Sequence, residues 1–225
     1  MPSDPSLDTA IDFQRLYAYR FRGLDQAARQ RVWDVIAPWI HDRMGRPARV
    51  LDPAAGRFEF LNAITAEERW GGDTVDHGHA RDGSIRLVIG DALDVDLPTS
   101  HFDGIFISNF LEHLASQEHI ARFLRRMLET SAPGGTIAVL GPNFRYCAPK
   151  YFDAADHVVA LSHVSVAEHV HAAGFEVTEV IPKLLPYSFV GRLPPSPTLT
   201  RAYLRFRPAW WLLGRQFLVV GRRPG

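Results

Sequence analysis

Short apolar runs alternate with stretches of helical period along most of this 225-residue chain. The pattern predicts two helices near the start, over 9–22 and 25–44. In the second, Ala28, Val32, Val35, Ile36 and Trp39 recur at helical spacing until Gly45 and Pro47 stop it. Strands are then predicted over 48–53, 73–76, 85–90, 103–108, 136–140, 175–181 and 216–221, with helices over 57–68, 116–131 and 165–173. Strands that are apolar throughout and separated by helices are buried on both faces, the pattern of a parallel sheet. "APGG" (132–135) reads as the break between a helix and the next strand. Ser165 reads as the cap of the 165–173 helix, with Glu168 three positions on. Residues 182–197 are rich in proline and carry no strand pattern, so an ordered or lid-like loop is expected there.

The length suits one domain over 1–225: cap helices to residue 46, a core over 47–145, and a segment 146–225 that ends in a hairpin. With 46% hydrophobic and 22% charged residues the composition is that of an ordinary globular protein. No apolar run reaches the ~20 residues that span a bilayer. The opening "MPSDPSLDTAIDFQ" lacks the basic start and apolar core of a signal peptide, so the cytoplasm is the expected compartment. The single cysteine, Cys147, excludes a disulfide framework and a cysteine-based zinc site. Charge is uneven. From Lys183 onward there are eight basic residues and no acid, which leaves residues 1–182 at −8. A basic tail containing Tyr203, Phe206, Trp210 and Trp211 suits phosphates, nucleic acid or an anionic membrane, unless its arginines only solvate a terminal hairpin.

Chemistry begins at "ARVLDPAAGRFEF" (48–60), where an apolar run meets Asp52 and a turn with one glycine, Gly56. In open α/β sheets, ligands bind at the carboxyl ends of strands. A nucleotide there needs a tight turn, backbone N–H groups, and an acid at the end of the next strand for ribose hydroxyls. Asp76 lies 20 positions after Gly56, and Asp91 closes "IRLVIGDA". Three strands each ending in Asp are a rarer arrangement than one turn.

These residues resemble a class I S-adenosylmethionine-dependent methyltransferase over nearly the whole chain. "VLDPAAGRFEF" is similar to the family's first motif, with Ala54, Gly56 and Phe58 at its glycine positions. "FDGIFISNFLEHL" is similar to its fourth strand, and "APGGTIAVLGPN" to the break into its fifth. The segment from "PNFRYCAPKYF" to "VGRLP" resembles a bacterial subgroup found near cell-envelope and polysaccharide genes. The resemblance implies a Rossmann-like, seven-stranded, doubly wound α/β sheet with an antiparallel last strand, N-terminal helices and a lid over the acceptor site. It also implies S-adenosylmethionine as cofactor, held by Asp52, Ala54, Gly56, Asp76, His77, Asp91, Ala92 and Asn109. Gly56 is the position where backbone must approach the cofactor closely.

Methyl transfer from a sulfonium needs alignment, desolvation and, for a hydroxyl acceptor, a base. Two groups are candidates. His113 follows the fourth strand in "NFLEHL", where Glu112 or His113 could instead cap the next helix. Tyr151, Asp156, His157 and His163 fall within thirteen residues after the fifth strand, where the resemblance places a roof over the acceptor. His157 and His113 are the catalytic candidates, and Tyr151, Asp156 and His163 the substrate candidates. Arg20 or Arg22 is a candidate for the cofactor carboxylate, against a solvated helix face. No metal is expected: His169 and His171, two apart on a helix, point in different directions, and Asp156, His157 and His163 could meet only by folding.

The expected activity is methylation of a small molecule, most specifically a hydroxyl of a sugar or glycoconjugate. The alternatives are a binding or regulatory protein on the same fold, or an N- or C-methyltransferase of a quinone-like, natural-product or nucleic-acid acceptor. No nucleic-acid partner is expected, because the motif of base-amino methyltransferases is replaced by "SNFL". Peripheral membrane contact through the basic tail is the further candidate.

Overall fold

The computed structural model describes residues 12–23, 25–76, 80–187 and 195–225. Among the described residues, α1 (Phe13–Arg20) and α2 (Gln26–Arg43) precede β1 (Arg49–Asp52), α3 (Glu59–Ala63), β2 (Glu68–Asp73), β3 (Arg86–Ile89) and β4 (Phe102–Ser108). A 3-10 turn (Leu111–His113) leads to α4 (Gln117–Thr130), β5 (Ser131–Pro142), α5 (Phe144–Tyr151), α6 (His163–Ala172) and β6 (Glu176–Ile181). The chain closes with α7 (Pro197–Arg205), α8 (Arg207–Leu213) and β7 (Gln216–Arg222).

The strands form one sheet in the order β3-β2-β1-β4-β5-β7-β6. Strands β1 to β5 run parallel, and β7 is antiparallel to both β5 and β6. The order reverses between β1 and β4, which opens a crevice at their carboxyl ends. Successive side chains of a strand point to opposite faces, so the inner strands feed two cores. Leu51, Ile105, Ile107, Val139 and Val219 pack with Phe123 and Leu124 of α4 and Val166 and Val170 of α6. Val50, Phe106, Leu140, Leu218 and Val220 pack with Trp33, Ile36 and Ile40 of α2 and with Leu204 and Trp210 of the C-terminal helices. Apolar residues on both faces explain the continuous apolar runs.

Several expectations are corrected. The second strand is 68–73, not 73–76, so Asp73 ends it and Asp76 lies three residues beyond. The predicted helix 57–68 is reduced to α3, and residue 68 already belongs to β2. "APGG" does not separate a helix from the next strand; it lies inside β5. Pairing jumps there from Phe102–Ser131 to Gly104–Thr136, and Gly134 takes a positive φ of 75°. Ser162 caps α6, with Ser165 returning a bond to the Ser162 N–H, so the capping pair starts three residues earlier than expected. The last two strands do pair antiparallel, but through a connection that carries two helices, and β7 is inserted between β5 and β6. No helix of the described residues is long and apolar enough to cross a membrane.

Candidate active site

The tips of β1, β2 and β3 carry the carboxylates. Asp52 is buried, and its Oδ1 accepts from Ala54 N at 3.2 Å. Burial pushes its pKa up to about 8; the Ala54 N–H works against this, and Asp73 and Glu59 add to it. The following loop lies on β2: Ala55 N donates to Gly72 O at 2.8 Å, and Gly56 N to Asp73 Oδ2 at 3.0 Å. Gly56 has φ +53° and open space where a Cβ would stand. Asp73 Oδ1 also accepts from Val75 N at 3.0 Å, which closes a turn after the strand. Asp91 is exposed after β3, and its Oδ1 accepts from Leu93 N at 2.9 Å, above the buried Ala92. Asn109, at the tip of β4, is exposed with φ +48°, and its N–H is bound to Leu140 O. His77 lies outside the described residues.

Phe58 stands at a motif position where glycine is common. It adopts φ +63°, ψ 18°, and its ring is fully buried rather than turned to the crevice. The missing glycine freedom is met elsewhere. A Cβ on Gly71 would lie 2.3 Å from Phe58 Cε1, and one on Gly72 would lie 2.7 Å from Pro53 O. The two glycines of β2 therefore make room for a loop that has kept only one.

A second cluster forms where the 3-10 turn after β4 meets the chain after α5. Val158 N and Val159 N both donate to Glu112 O, at 2.8 and 3.1 Å, and tie the segments together. His113 Nδ1 lies 2.9 Å from Asp156 O and 3.4 Å from its Oδ2. As the donor to that carbonyl, Nδ1 leaves the lone pair on Nε2. The His113 and His157 ring centroids are 5.0 Å apart, and His113 Nε2 is 4.0 Å from Glu112 Oε1. Glu112 is 2% exposed, and burial pushes its carboxyl up to about 7; His113 and its own backbone lower it, and Asp156 raises it. Burial, then the nearby His113, push His157 down to about 4, so its ring is neutral at pH 7 and offers one nitrogen lone pair. Glu112 Oε1 and His157 Nδ1 are buried and make no hydrogen bond.

Asp156 supports this cluster from below. Its side chain is fully buried and takes both guanidinium nitrogens of Arg20, one of them at 3.1 Å. Tyr17, one turn earlier on α1, also bonds Asp156; burial, followed by the Asp156 charge, raises the Tyr17 pKa to about 12. Burial alone would raise Asp156, but the Arg20 bonds and the His113 charge outweigh it and hold the carboxyl below its ordinary range. Arg20 thus serves Asp156, and Arg22 lies over the Tyr19 ring at 4.0 Å.

The other candidates are placed apart. Tyr151 is fully buried at the end of α5; its hydroxyl donates to Val159 O at 2.7 Å and accepts from Leu161 N at 3.2 Å, so it shapes the segment and cannot meet a substrate. His163 Nδ1 pairs with Asn143 Nδ2 at 2.9 Å, and its ring stacks on Tyr146. Neither Glu112 nor His113 caps α4, because Ser116 does so through His119 N. Asp73 was missed because "WGG" before it reads as a turn. The Arg20–Asp156 pair joins residues 136 apart, which no local pattern signals.

Residues 62–139 match the family described as "Methyltransferase domain". A search of curated proteins finds no match. Among solved structures, the chain is similar to one in the complex of the Haloferax volcanii Trm112 methyltransferase activator with a methyltransferase. The two share 17% identity over 93% of this chain and 98% of that one, with a TM-score of 0.67. A S-adenosylmethionine-dependent methyltransferase from Archaeoglobus fulgidus shares 20% identity over 94% of this chain and 100% of its own, TM-score 0.62. Phosphoethanolamine N-methyltransferase 2 of Haemonchus contortus, solved with S-adenosyl-L-methionine, shares 13% identity over 96% of this chain and 61% of its own, TM-score 0.63. The fold is the Rossmann-like methyltransferase fold. The matched domain and the fold together support S-adenosylmethionine-dependent methyl transfer, with S-adenosylmethionine as the cofactor. The crevice suits such a group: carboxylates beyond the adjacent tips of β2 and β3 can accept from hydroxyl and amino groups, and above Gly56 there is a space that a Cβ would fill.

Proposed function

We propose that this protein methylates a hydroxyl of a small-molecule acceptor, a sugar or glycoconjugate in class. Asp73 would hold the ribose hydroxyls, Asp91 and Ala92 the adenine, and Gly56, Ala54 and Asn109 the methionine end of the cofactor. When bound, the cofactor supplies an electrophilic methyl group on sulfur. Everything else falls to the chain. The observation that carries the reading is the gathering of Glu112, His113 and His157 just beyond the tip of β4, the strand that borders the crevice. His113 is the group suited to take the acceptor's proton: its Nδ1 is held by Asp156, so the Nε2 lone pair is oriented. Asp156 acts as a positioning residue, with Arg20 and Tyr17 keeping its carboxylate charged and fixed. His157 and Glu112 stand beside His113 in the same cluster.

The acceptor class draws on the subgroup resemblance and on the surface of the C-terminal helices. Phe206, Trp211, Leu212 and Leu213 are exposed beside Arg205 and Arg207, and residues 183–225 contain no acid. Apolar side chains next to arginines suit the interface of an anionic bilayer. We propose that a cytoplasmic enzyme docks there to reach a lipid-linked or phosphorylated acceptor. Sedimentation with phosphatidylglycerol vesicles, and not with phosphatidylcholine, tests the docking; the Trp211→Ser/Leu212→Ser variant is expected to stay in solution.

Calorimetric titration of S-adenosylhomocysteine, followed by an acceptor screen that begins with nucleotide sugars, tests the activity. Micromolar binding and transfer lost in His113→Ala are expected. Absence of both heat and thermal stabilisation at millimolar ligand would overturn the enzyme reading.

A further inference from the structure

We propose that Glu112, His113 and His157 form a divalent-cation site of the zinc, cobalt or manganese class. One donor atom from each of the three lies within 4.8 Å of the other two, although His157 comes from a different segment, 44 residues after His113. A carboxylate and two imidazoles are the ligand set such ions prefer.

Three independent features point to an ion rather than to a chance meeting. First, Glu112 Oε1 and His157 Nδ1 are buried and have no hydrogen-bond partner. Orphaned buried polar atoms are uncommon and call for a missing partner. Second, His113 offers the outer support typical of a ligating imidazole: Nδ1 donates to the Asp156 carbonyl and leaves Nε2 bare on the side of Glu112. Third, the frame is fixed before any ion arrives. The Glu112 carbonyl is bound by Val158 and Val159, and Asp156 is clamped by Arg20. An ion at ~2.0–2.2 Å from each donor would draw the three atoms to roughly 3.5 Å apart, a matter of side-chain rotation. The remaining histidines of this region are engaged elsewhere, His163 with Asn143 and His169 with Gln117.

Three protein ligands leave a coordination position open, as in catalytic rather than structural sites. On the methyl-transfer reading proposed above, that position receives the acceptor hydroxyl. Coordination lowers the hydroxyl pKa, the O–H electron pair stays on oxygen, and the proton leaves to solvent water. His113 is then a ligand, and the ion replaces it as the means of activating the acceptor.

The test uses the full chain, stripped with EDTA and titrated with Co²⁺ while its visible absorption is followed, and with Zn²⁺ in a calorimeter. One ion per chain is expected. His113→Ala and His157→Ala should each weaken binding about tenfold or more, whereas His171→Ala, on the exposed face of α6, should leave it unchanged. His157→Gln serves as a second variant should the alanine variants fail to fold, with S-adenosylhomocysteine binding as the measure of folding. Absence of stoichiometric cobalt binding, or binding that survives the loss of both histidines, would overturn the ion site. S-adenosylhomocysteine binding without cobalt binding would leave the methyltransferase reading standing with His113 as base. Cobalt binding by a chain that does not bind S-adenosylhomocysteine would overturn that reading and keep the ion site.

Discussion

The ring of Phe58 occupies the place where a Cβ on Gly71 would stand, 2.3 Å from its Cε1. The two positions are therefore one unit. Gly71→Ala is expected to destabilise by about 1–3 kcal/mol through overpacking, and Phe58→Ala by about 3–5 kcal/mol through the cavity it leaves. Combined, the two should cost less than their sum by about 1 kcal/mol or more. Urea unfolding of the four proteins reads this coupling, and strict additivity would show that loop and strand do not share the space.

The strand-end acid should matter far more than the one beyond it. Asp73→Ala removes a carboxylate at the tip of β2 that also holds Gly56 N. A charged hydrogen bond is worth ~1.5–3 kcal/mol, so S-adenosylhomocysteine should bind roughly 10- to 100-fold more weakly. Asp76→Ala should change the affinity little. Calorimetry on both variants decides, and the reverse order would return the role to Asp76.

Removal of Arg20 leaves the fully buried side chain of Asp156 without its cation. Arg20→Met should cost about 3 kcal/mol or more, because an uncompensated buried charge is left behind. Addition of Asp156→Asn to that variant should recover part of the loss. Denaturant midpoints of the two variants give the comparison, and an unchanged midpoint in Arg20→Met would mean that the pair contributes nothing.

The buried histidines should weaken the fold as pH falls below neutral. His41 is buried against Pro47 O at 3.1 Å, and burial lowers its pKa from 6.5; the Pro47 carbonyl and Asp42 oppose the shift and Arg46 adds to it. His163 and His169 are lowered in the same direction by burial. A depressed folded pKa means that the unfolded chain binds more protons. The stability is then fully present above pH 6.5 and is lost as pH falls through 6.5 towards the folded values. Asp52 and Glu112, whose carboxyls are raised by burial, act in the opposite sense over the same range, so the histidine contribution is read as a difference. Between pH 7 and pH 5 the thermal midpoint of His41→Gln should rise relative to that of the unmodified protein, and a constant difference would show that His41 contributes nothing.

What the sequence made legible was set by how local each signal is. The apolar runs of β1, β4 and β7 and the period of α2 and α4 are written in neighbouring residues, and these elements fall where expected. The β2 strand was misplaced because Gly71 and Gly72 look like a turn; they are glycines to admit Phe58 and Pro53, which is a tertiary demand. The helices α7 and α8 were hidden by prolines that in fact stand in their first turns. His113 and His157 were both recognised as chemical groups, but their meeting, and the burial of Glu112 between them, depend on Val158 and Val159 binding the Glu112 carbonyl.

The position of β7 between β5 and β6 has a consequence in time. Among the described residues it is the last strand in chain order, yet it is an inner strand and the only sheet neighbour of β6. During synthesis β5 presents a bare edge and β6 waits unpaired until residues 216–222 leave the ribosome. Bare edges invite pairing with other chains, so a nascent or shortened chain that stops before β7 is the form of this protein most in need of a chaperone.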